Sequence, residues 1–490
     1  MSSDPLTRRE TIVGAAAASL LAAAPPSEIC RMTAVEMAGL IRTRKLSARE
    51  ALAAHLKQIE RMNPKVNAIV TLVPEMAAAW AAQADEAQAK GAALGPLHGL
   101  PMAHKDLVET KGIRTTFGSP LFRDNVPTED DPLIERLRRA GAITMGKTNT
   151  PEFGAGSQTF NPVFGATRNP YDLTRTCGGS SGGAAVALRC GMMPVADGSD
   201  MGGSLRNPAA FANVVGFRVS PGRVPNRRAA WGWFALSTAG PMARTVGDVA
   251  LLLSAMAGPD GQAPLSLPEP GASFARPLGR SFRGARVAWF RDLGGLPIEA
   301  AVRTVVEAQR KVFENLGCVV EQAEPDFTGA DFAFQTLRAW NSATTHAGRD
   351  LSRYKETLRQ EIEEGQRLTG ADLAKAETLR TQVWRRVQAF FERYEYFVLP
   401  VTQVVPFDVN QPYPTMVDGR PMGSYIDWMR SCWYVSTAGN PAISVPAGFT
   451  VEGLPVGLQI VGRQQADFSV LQLAYAFEQA ARVPARWPEL

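Results

Sequence analysis

Two glycine-rich loops lie close together in the chain and constrain it more than any other feature. They belong to the stretch TCGGSSGGAAVALRCGMMPVADGSDMGGSLR, residues 176–206, and occupy residues 178–183 and 198–204. Glycine at this density is unfavourable inside helices and strands, so these loops indicate a backbone that adopts positive φ or approaches another group closely. We therefore expect a reacting group to be bound against the two loops.

The composition is that of a globular protein with a large core. The chain has 490 residues, of which 45% are hydrophobic and 20% charged, and its net charge is +5. A single large α/β domain can have this length. The densest basic cluster is interrupted by prolines and lacks interleaved aromatic residues, so we expect no nucleic-acid partner. Its members are Arg218, Arg223, Arg227 and Arg228.

The five cysteines are far apart, and none belongs to a C-x-x-C motif. This spacing predicts free thiols rather than a zinc site or a disulfide framework. We expect the protein to use neither a metal nor a cofactor.

Residues 1–30 are predicted to form a leader. The segment TRRETIV, residues 7–13, begins an apolar run that is too short to cross a bilayer but long enough for a signal sequence. It is similar to a twin-arginine export signal, although Thr11 stands where that signal favours a large apolar residue and Pro25 would hinder cleavage. The two expectations are export to the periplasm and a cytoplasmic protein with an N-terminal tail. Neither includes stable membrane insertion.

The chain after the leader begins with helices. Residues 33–62 carry apolar residues at helical spacing, and Ser47 with Glu50 forms a capping box at the start of the second helix. Because the residue before a proline avoids helical backbone angles, Asn63 and Pro64 are expected to end this helix.

The rest of the chain alternates between strands and helices. This rhythm predicts one α/β domain over residues 31–490, a single large α/β/α sandwich with a mixed, mostly parallel central sheet. Its functional core is expected at about residues 95–225. Residues 260–395 are predicted as a helical insertion, and residues 448–462 as a hairpin.

Ser204 and Lys105 are the clearest candidates for catalytic residues. Ser204 follows two glycines and precedes a helix start, so successive backbone N–H groups could point at one oxygen, as an oxyanion hole requires. Lys105 ends an apolar strand, where a lysine must either pair with an acid or lose its proton. A neutral Lys105 could act as a general base, and the alternative is an ion pair with Asp106 or another acid.

Three motifs in this region resemble those of the amidase signature family. They are GLPMAHKD at residues 99–106, GGSSGG at residues 178–183 and DMGGSLR at residues 200–206. The spacings are also similar to the family's: 75 residues from Lys105 to Ser180 and 24 from Ser180 to Ser204. Further similar segments are SAREALAAHLKQIERMNPKVNAIV, GKTNTPEFGAG, GATRNPYD and NPAISVPAGFTVEGLPVGLQIVGR.

The resemblance implies the amidase signature fold and hydrolysis of carbon–nitrogen acyl bonds through an acyl-enzyme. Ser204 would be the nucleophile and Lys105 would be the base. Ser180, joined to Gly179 by a cis peptide bond, would relay protons between them. The implied oxyanion hole consists of the N–H groups of Met201, Gly202, Gly203 and Ser204. The implied supporting residues of the loops are Gly179, Ser181, Asp200 and Arg206, the last two as an ion pair.

Two alternatives remain open. The residues Gly178 to Gly182 also satisfy the G-x-S-x-G pattern of α/β-hydrolases, which would make Ser180 the nucleophile and His346 its only downstream histidine. The chain could also be the A-type subunit of an amidotransferase, producing ammonia in a complex.

The substrate is expected to be a small amide or carbamate, and the oligomeric state a monomer or homodimer. The supply of apolar residues favours a hydrophobic or aryl amide or urethane, as in aryl-amidase-like, urethanase-like or nylon-oligomer-hydrolase-like members of the family. The candidate pocket residues are Gly156, Ser157, Phe160, Trp231, Trp340 and Trp428.

Overall fold

The structure, a computed structural model, describes residues 26–227 and 231–490. The twin-arginine-like segment and Arg228 lie outside the described residues. Within those two ranges, no helix is both long enough and apolar enough to cross a membrane.

The helices fall into an N-terminal group, a group around the central sheet and a group inserted late in the chain. They are α1 (Pro26–Ile29), α2 (Ala34–Arg42), α3 (Ala48–Val66), α4 (Pro74–Ala89), α5 (Pro132–Arg139), α6 (Gly182–Arg189), α7 (Arg206–Phe211), α8 (Val246–Met256), α9 (Ala300–Glu307), α10 (Arg310–Asn315), α11 (Ala330–Thr345), α12 (Glu356–Arg367), α13 (Gly370–Arg393), α14 (Arg430–Ala438) and α15 (Asp467–Ala481).

The strands form one large sheet, one three-stranded sheet and two small hairpins. They are β1 (Ile69–Leu72), β2 (Pro101–Lys105), β3 (Ile143–Thr148), β4 (Phe160–Asn161), β5 (Gly165–Ala166), β6 (Val195–Asp200), β7 (Val215–Arg218), β8 (Thr238–Ala243), β9 (Arg286–Trp289), β10 (Val319–Gln322), β11 (Tyr396–Pro400), β12 (Met416–Val417), β13 (Arg420–Pro421), β14 (Ala442–Phe449) and β15 (Pro455–Gly462).

Local sequence signals account for the ends of the N-terminal helices. Thr33 and Ser47 cap α2 and α3, each in a capping box with the glutamate three residues later. The predicted end of α3 at Asn63 is wrong, because the helix continues through Pro64 to Val66. The proline lies in the last turn, where its missing N–H removes a single helical hydrogen bond. The Asn63 side chain also accepts two backbone N–H groups just beyond the helix.

The central sheet has eight strands in the order β10-β9-β11-β15-β14-β7-β8-β6. It is mixed, as predicted: β9 pairs in parallel with β10 and β11. The other neighbours are antiparallel, which is a larger antiparallel share than the strand–helix rhythm suggests. The predicted hairpin of β14 and β15 contributes to it, because a short turn can join only antiparallel strands.

Helices cover both faces of this sheet. A Cβ atom added at Gly457 of β15 would lie 2.7 Å from the Cβ atom of Ala210 in α7. A Cβ atom added at Gly462 of the same strand would lie 2.4 Å from Val470 in α15. Because these two positions are an odd number of residues apart, they face opposite sides of the strand. The predicted α/β/α sandwich is therefore confirmed.

The range predicted as a helical insertion, residues 260–395, also carries two strands of the central sheet. β9 and β10 lie side by side at one end of that sheet, with α9 and α10 between them in the chain. The prediction was wrong at these points because a segment of four residues is too short to show the periodicity that distinguishes a strand from part of a helix.

The smaller sheet, in the order β1-β3-β2, stands against the end of the central sheet. The backbone N–H of Lys105, the last residue of β2, donates a hydrogen bond to Asp197 Oδ2 of β6 at 3.1 Å. The end of β2 therefore lies next to β6, and each strand leads into a segment that the sequence marks as functional.

The close contact between β15 and α7 gives a stability prediction. Gly457→Ala places a methyl group against the backbone of α7, 3.0 Å from Ala210 Cα, and we expect the free energy of unfolding to fall by about 1–3 kcal/mol. The control is Gly39→Ala inside α2, where a Cβ meets nothing within 4 Å and helix propensity predicts a gain of up to about 1 kcal/mol. Urea denaturation measures both, and equal midpoints for the two variants would contradict the packing argument.

Candidate active site

Lys105 lies fully buried among three serine hydroxyls. Its Nζ atom is 2.7 Å from Ser180 Oγ, 2.9 Å from Ser181 Oγ and 3.0 Å from Ser199 Oγ. The alternative of an ion pair with Asp106 is wrong, because that carboxylate accepts the backbone N–H and the hydroxyl of Thr116 instead. The hydrogen-bond partners of the Lys105 amine are thus neutral hydroxyls.

Burial favours the neutral form of the Lys105 amine. Removal from water lowers the pKa of Lys105 to about 7, against the opposing effect of the Asp200 and Asp197 carboxylates. A neutral amine offers two donors and one lone pair, and an ammonium offers three donors, so three hydroxyls can satisfy either form after rotating. Lys105 can therefore gain or lose a proton without leaving an unsatisfied neighbour.

Ser180 is held by the first glycine-rich loop, which runs into α6. The peptide bond between Gly179 and Ser180 is cis, as the sequence resemblance implied. The Gly179 N–H donates to Asn207 Oδ1 at 3.1 Å, which ties this loop to α7. A Cβ atom at Gly183 would lie 2.3 Å from the backbone nitrogen of Asn149, so glycine is needed there for the close approach of two backbones.

Ser204 lies in the second loop, between the end of β6 and α7, and is 9% exposed. Among the residues that the structure describes, the N–H groups of Met201, Gly202 and Ser204 donate to no protein acceptor. Gly203 differs from the prediction, because its N–H donates to Asp200 Oδ1 at 2.9 Å. Three of the four predicted oxyanion donors are thus free to bind a substrate oxygen.

The Asp200 carboxylate organises this second loop. Its Oδ1 lies 2.9 Å from Arg206 Nη2 and 3.2 Å from Arg218 Nη1, and all three side chains are fully buried. Burial alone would raise the pKa of Asp200, but the two guanidinium groups hold that pKa well below its usual range. The predicted ion pair of Asp200 with Arg206 is present, whereas no sequence motif indicated that Arg218 joins it.

Two further buried residues fix the main chain at Lys105. Asp197 Oδ1 lies 2.6 Å from His104 Nδ1, and its Oδ2 accepts the Lys105 N–H. The other ring nitrogen of His104 lies 3.0 Å from Thr144 Oγ1. No sequence pattern singled out this pair or Ser199, although all three lie within the segments around the predicted residues.

The alternative with Ser180 as the nucleophile of an α/β-hydrolase lacks its base. His346 Nδ1 lies 3.1 Å from the Tyr354 hydroxyl, and its ring packs against Phe153. Burial lowers the pKa of His346 to about 4. Within the described part of the chain, no histidine hydrogen bonds to Ser180, and no three His, Cys, Asp or Glu side chains converge as metal ligands would.

Ser180 and Ser204 open into one cavity of about 540 Å³. Ser204 also reaches a narrower cavity of about 140 Å³, which Ser180 does not line. Of the predicted pocket residues, Trp231 lines the larger cavity and Gly156 the narrower one.

The other predicted pocket residues line neither of these cavities. Trp340 packs its ring against Trp231, with the ring centroids 4.1 Å apart. Ser157 and Trp428 are hydrogen bonded to each other at 3.0 Å and are buried. Phe160 is 38% exposed at the surface. An aromatic residue in a loop can pack in the core, line a cavity or face solvent. Which of these positions it takes depends on tertiary packing.

Most of this sequence is similar to known proteins. The family model described as Amidase matches residues 50–471. An acylamidase of Rhodococcus erythropolis is 36% identical over 453 residues, covering 91% of this chain and 95% of the relative. The A-type subunit of a glutamyl-tRNA(Gln) amidotransferase of Moorella thermoacetica is 34% identical over 499 residues, covering 94% of this chain and 99% of the relative.

A solved structure shares the fold over nearly the whole chain. It is a bacterial aryl acylamidase of the amidase signature family, with a TM-score of 0.86 and 28% identity, covering 92% of this chain and 96% of the other. Since both the family model and these relatives cover far more than half of the sequence, the chain belongs to the amidase signature family.

Proposed function

We propose that the protein hydrolyses the carbon–nitrogen acyl bond of small linear amides through an acyl-enzyme on Ser204. The observation that carries this proposal is the buried amine of Lys105, 2.7 Å from Ser180 Oγ, in a loop that shares a cavity with Ser204. The amide-hydrolysing activity named for the acylamidase relative supports the same reaction class.

The first half of the reaction forms the acyl-enzyme. Neutral Lys105 accepts a proton from Ser180, which in turn accepts the proton of Ser204 as Ser204 Oγ attacks the substrate carbonyl carbon. The carbonyl oxygen becomes an oxyanion and is bound by the free N–H groups of Met201, Gly202 and Ser204. The carbon–nitrogen bond then breaks, and the leaving nitrogen takes a proton from Ser180, which Lys105 reprotonates.

The second half repeats the same proton path with water in place of the amine. Water gives a proton through Ser180 to Lys105 and attacks the acyl carbon, and Ser204 leaves with the proton that Ser180 returns. A carbamate presents an equivalent carbonyl carbon, so the proposal extends to urethanes. Once the amine has left, hydrolysis of that acyl-enzyme would give a carbonic acid monoester, which loses carbon dioxide and leaves an alcohol.

The relay requires Ser180 and Ser204 to come closer when substrate binds. Among the described residues, no hydrogen bond joins the two hydroxyls, although both face the same cavity. Catalytic hydrogen bonds are often long in the absence of substrate and shorten in the reactive complex.

A second candidate function follows from the amidotransferase relative. The A-type chain of that enzyme is similar over 94% of this chain, so production of ammonia from an amide inside a complex is the alternative. Hydrolysis of anilides by the isolated chain would favour the acylamidase type, and ammonia release only in the presence of partner subunits would favour the alternative.

The assignment of roles predicts where an activated-serine reagent reacts. A fluorophosphonate should modify Ser204, as located by peptide mass mapping, and Lys105→Ala should slow that labelling by at least about 100-fold. Ser204→Ala should abolish it. Ser281→Ala, a change at an exposed serine, is the control and should label at the wild-type rate. Modification of Ser180 in place of Ser204 would contradict the proposal.

The buried lysine also predicts the pH dependence. Because the base must be neutral, kcat/KM should fall about tenfold per pH unit below the Lys105 pKa of about 7 and be flat above it. The control is Lys147→Gln. Burial lowers the pKa of Lys147 to about 8, but its Nζ donates to Val108 O and Thr110 Oγ1 rather than to the serines. This variant should retain the inflection near pH 7. If the inflection disappeared in Lys147→Gln, it would belong to Lys147 rather than to Lys105, which would contradict the prediction.

A further inference from the structure

The cavity at the candidate site has two lobes that meet at Ser204. The large lobe has a volume of about 540 Å³ and the small lobe about 140 Å³. Both lobes are lined by the same six residues at their junction: Phe153, Gly154, Met201, Ser204, Asn341 and Thr345. A carbonyl carbon at Ser204 would therefore have one substituent directed into each lobe.

The proton relay distinguishes the two lobes. Ser180 and Ser199 line the large lobe but not the small one, and Gly202 lines the small lobe but not the large one. The leaving nitrogen must take its proton from Ser180, so it has to lie within hydrogen-bond reach of that hydroxyl. The substituent of the nitrogen then continues into the lobe that Ser180 lines.

On the basis of the proposed function, we propose that the large lobe binds the amine part of the substrate and the small lobe binds the acyl part. Phe234 is a specificity-determining residue for the amine and Phe334 for the acyl group. The substrates are amides that join a short, uncharged acyl group to a bulky aromatic or apolar amine.

One part of the wall of the large lobe fits an apolar amine. Trp231, Phe234, Leu265 and Val224 contribute aromatic and aliphatic side chains there, whereas polar side chains, Arg349 among them, line the rest. At about 30 Å³ for each water in the liquid, the volume corresponds to roughly 18 water-sized groups, enough for a bicyclic aromatic ring.

The walls of the small lobe limit the length of the acyl group. A Cβ atom at Gly202 would lie 3.0 Å from Phe334 Cζ and 3.2 Å from Met429 Cε, so these two side chains pack closely beside the oxyanion donors. The volume corresponds to roughly five water-sized groups. An acyl chain of about four or five atoms therefore fits in the small lobe beside Phe334.

The far end of the small lobe is polar but electrically balanced. Arg338 forms an ion pair with Glu361 and a hydrogen bond with the Tyr425 hydroxyl. The Ser342 hydroxyl donates to Glu361 Oε1 at 2.5 Å. Because each charge already has an opposite partner, a charged acyl group gains no counterion here and loses its hydration. This argues for an uncharged acyl group.

The two-step reaction allows each lobe to be tested separately. Once the amine has left, only the acyl group remains on Ser204, so the deacylation rate depends on the lobe that holds the acyl group. Phe234→Leu and Phe334→Leu make the same change in the two lobes. Burst kinetics on acetyl, butyryl and hexanoyl 4-nitroanilides give the acylation and deacylation rates, and acetyl amides of aniline, naphthylamine and butylamine give the amine preference.

Phe334→Leu should raise kcat/KM for the hexanoyl substrate about tenfold relative to the acetyl substrate and change the deacylation rate. Phe234→Leu should alter the amine preference and the acylation rate, with deacylation within twofold of wild type. The lobe assignment would be overturned if Phe234→Leu changed the acyl preference and Phe334→Leu the amine preference, or if only Phe234→Leu altered the deacylation rate. If Phe334→Leu does not fold, as judged by urea denaturation, Met429→Val tests the same wall with the same expectations.

Mass spectrometry of the quenched enzyme detects acylated Ser204. This measurement separates a failure of the lobe assignment from a failure of the proposed function. Acylated Ser204 with the wrong lobe dependence would overturn the assignment of the lobes alone. Turnover of anilides by wild type without any acylated Ser204 would overturn the acyl-enzyme mechanism.

Discussion

The buried Asp200 carboxylate is the interaction on which the arrangement of the candidate site depends. Two guanidinium groups, those of Arg206 and Arg218, neutralise it, and it accepts the N–H groups of Gly203 and Leu205 on either side of Ser204. A carboxylate without these partners would be strongly unfavourable in the core, so the loop has little freedom to adopt another shape. The hydrogen bonds of Arg206 to Cys432 O and Gln459 Oε1 extend this constraint to α14 and β15.

Lys105 is constrained in a different way, because its neighbours are neutral. The serine hydroxyls of both loops surround its amine, while Asp197 fixes its main chain from the other side of the strand. The negative charge of Asp200 thus holds the backbone of the second loop. In the part of the chain that the structure describes, no carboxylate hydrogen bonds to the Lys105 amine, where it would stabilise the protonated form. The lowered pKa of Lys105 follows from its burial, which outweighs the opposing effect of the Asp200 and Asp197 carboxylates.

Much of this could be predicted from the chain itself. The density of glycine at residues 178–183 and 198–204 marked the two loops, and apolar patterns marked the N-terminal helices and the hairpin of β14 and β15. Four-residue strands such as β9 and β10 were missed, because so short a segment shows no clear periodicity. The helix end at Pro64 was misplaced, because a proline in the last turn removes only one hydrogen bond.

The sequence by itself determined the helix caps, the alternation that builds an α/β/α sandwich and the candidate residues Lys105, Ser180 and Ser204, because each depends on local spacing or on a motif. Only the tertiary structure decided that the Lys105 amine does not pair with Asp106, that Arg218 joins Asp200, and that Trp231 lines the large cavity whereas Trp428 is buried and lines neither cavity. The physical reason is that burial and pairing arise between elements distant in sequence. Whether a side chain is charged, satisfied or exposed depends on which of those elements meet around it.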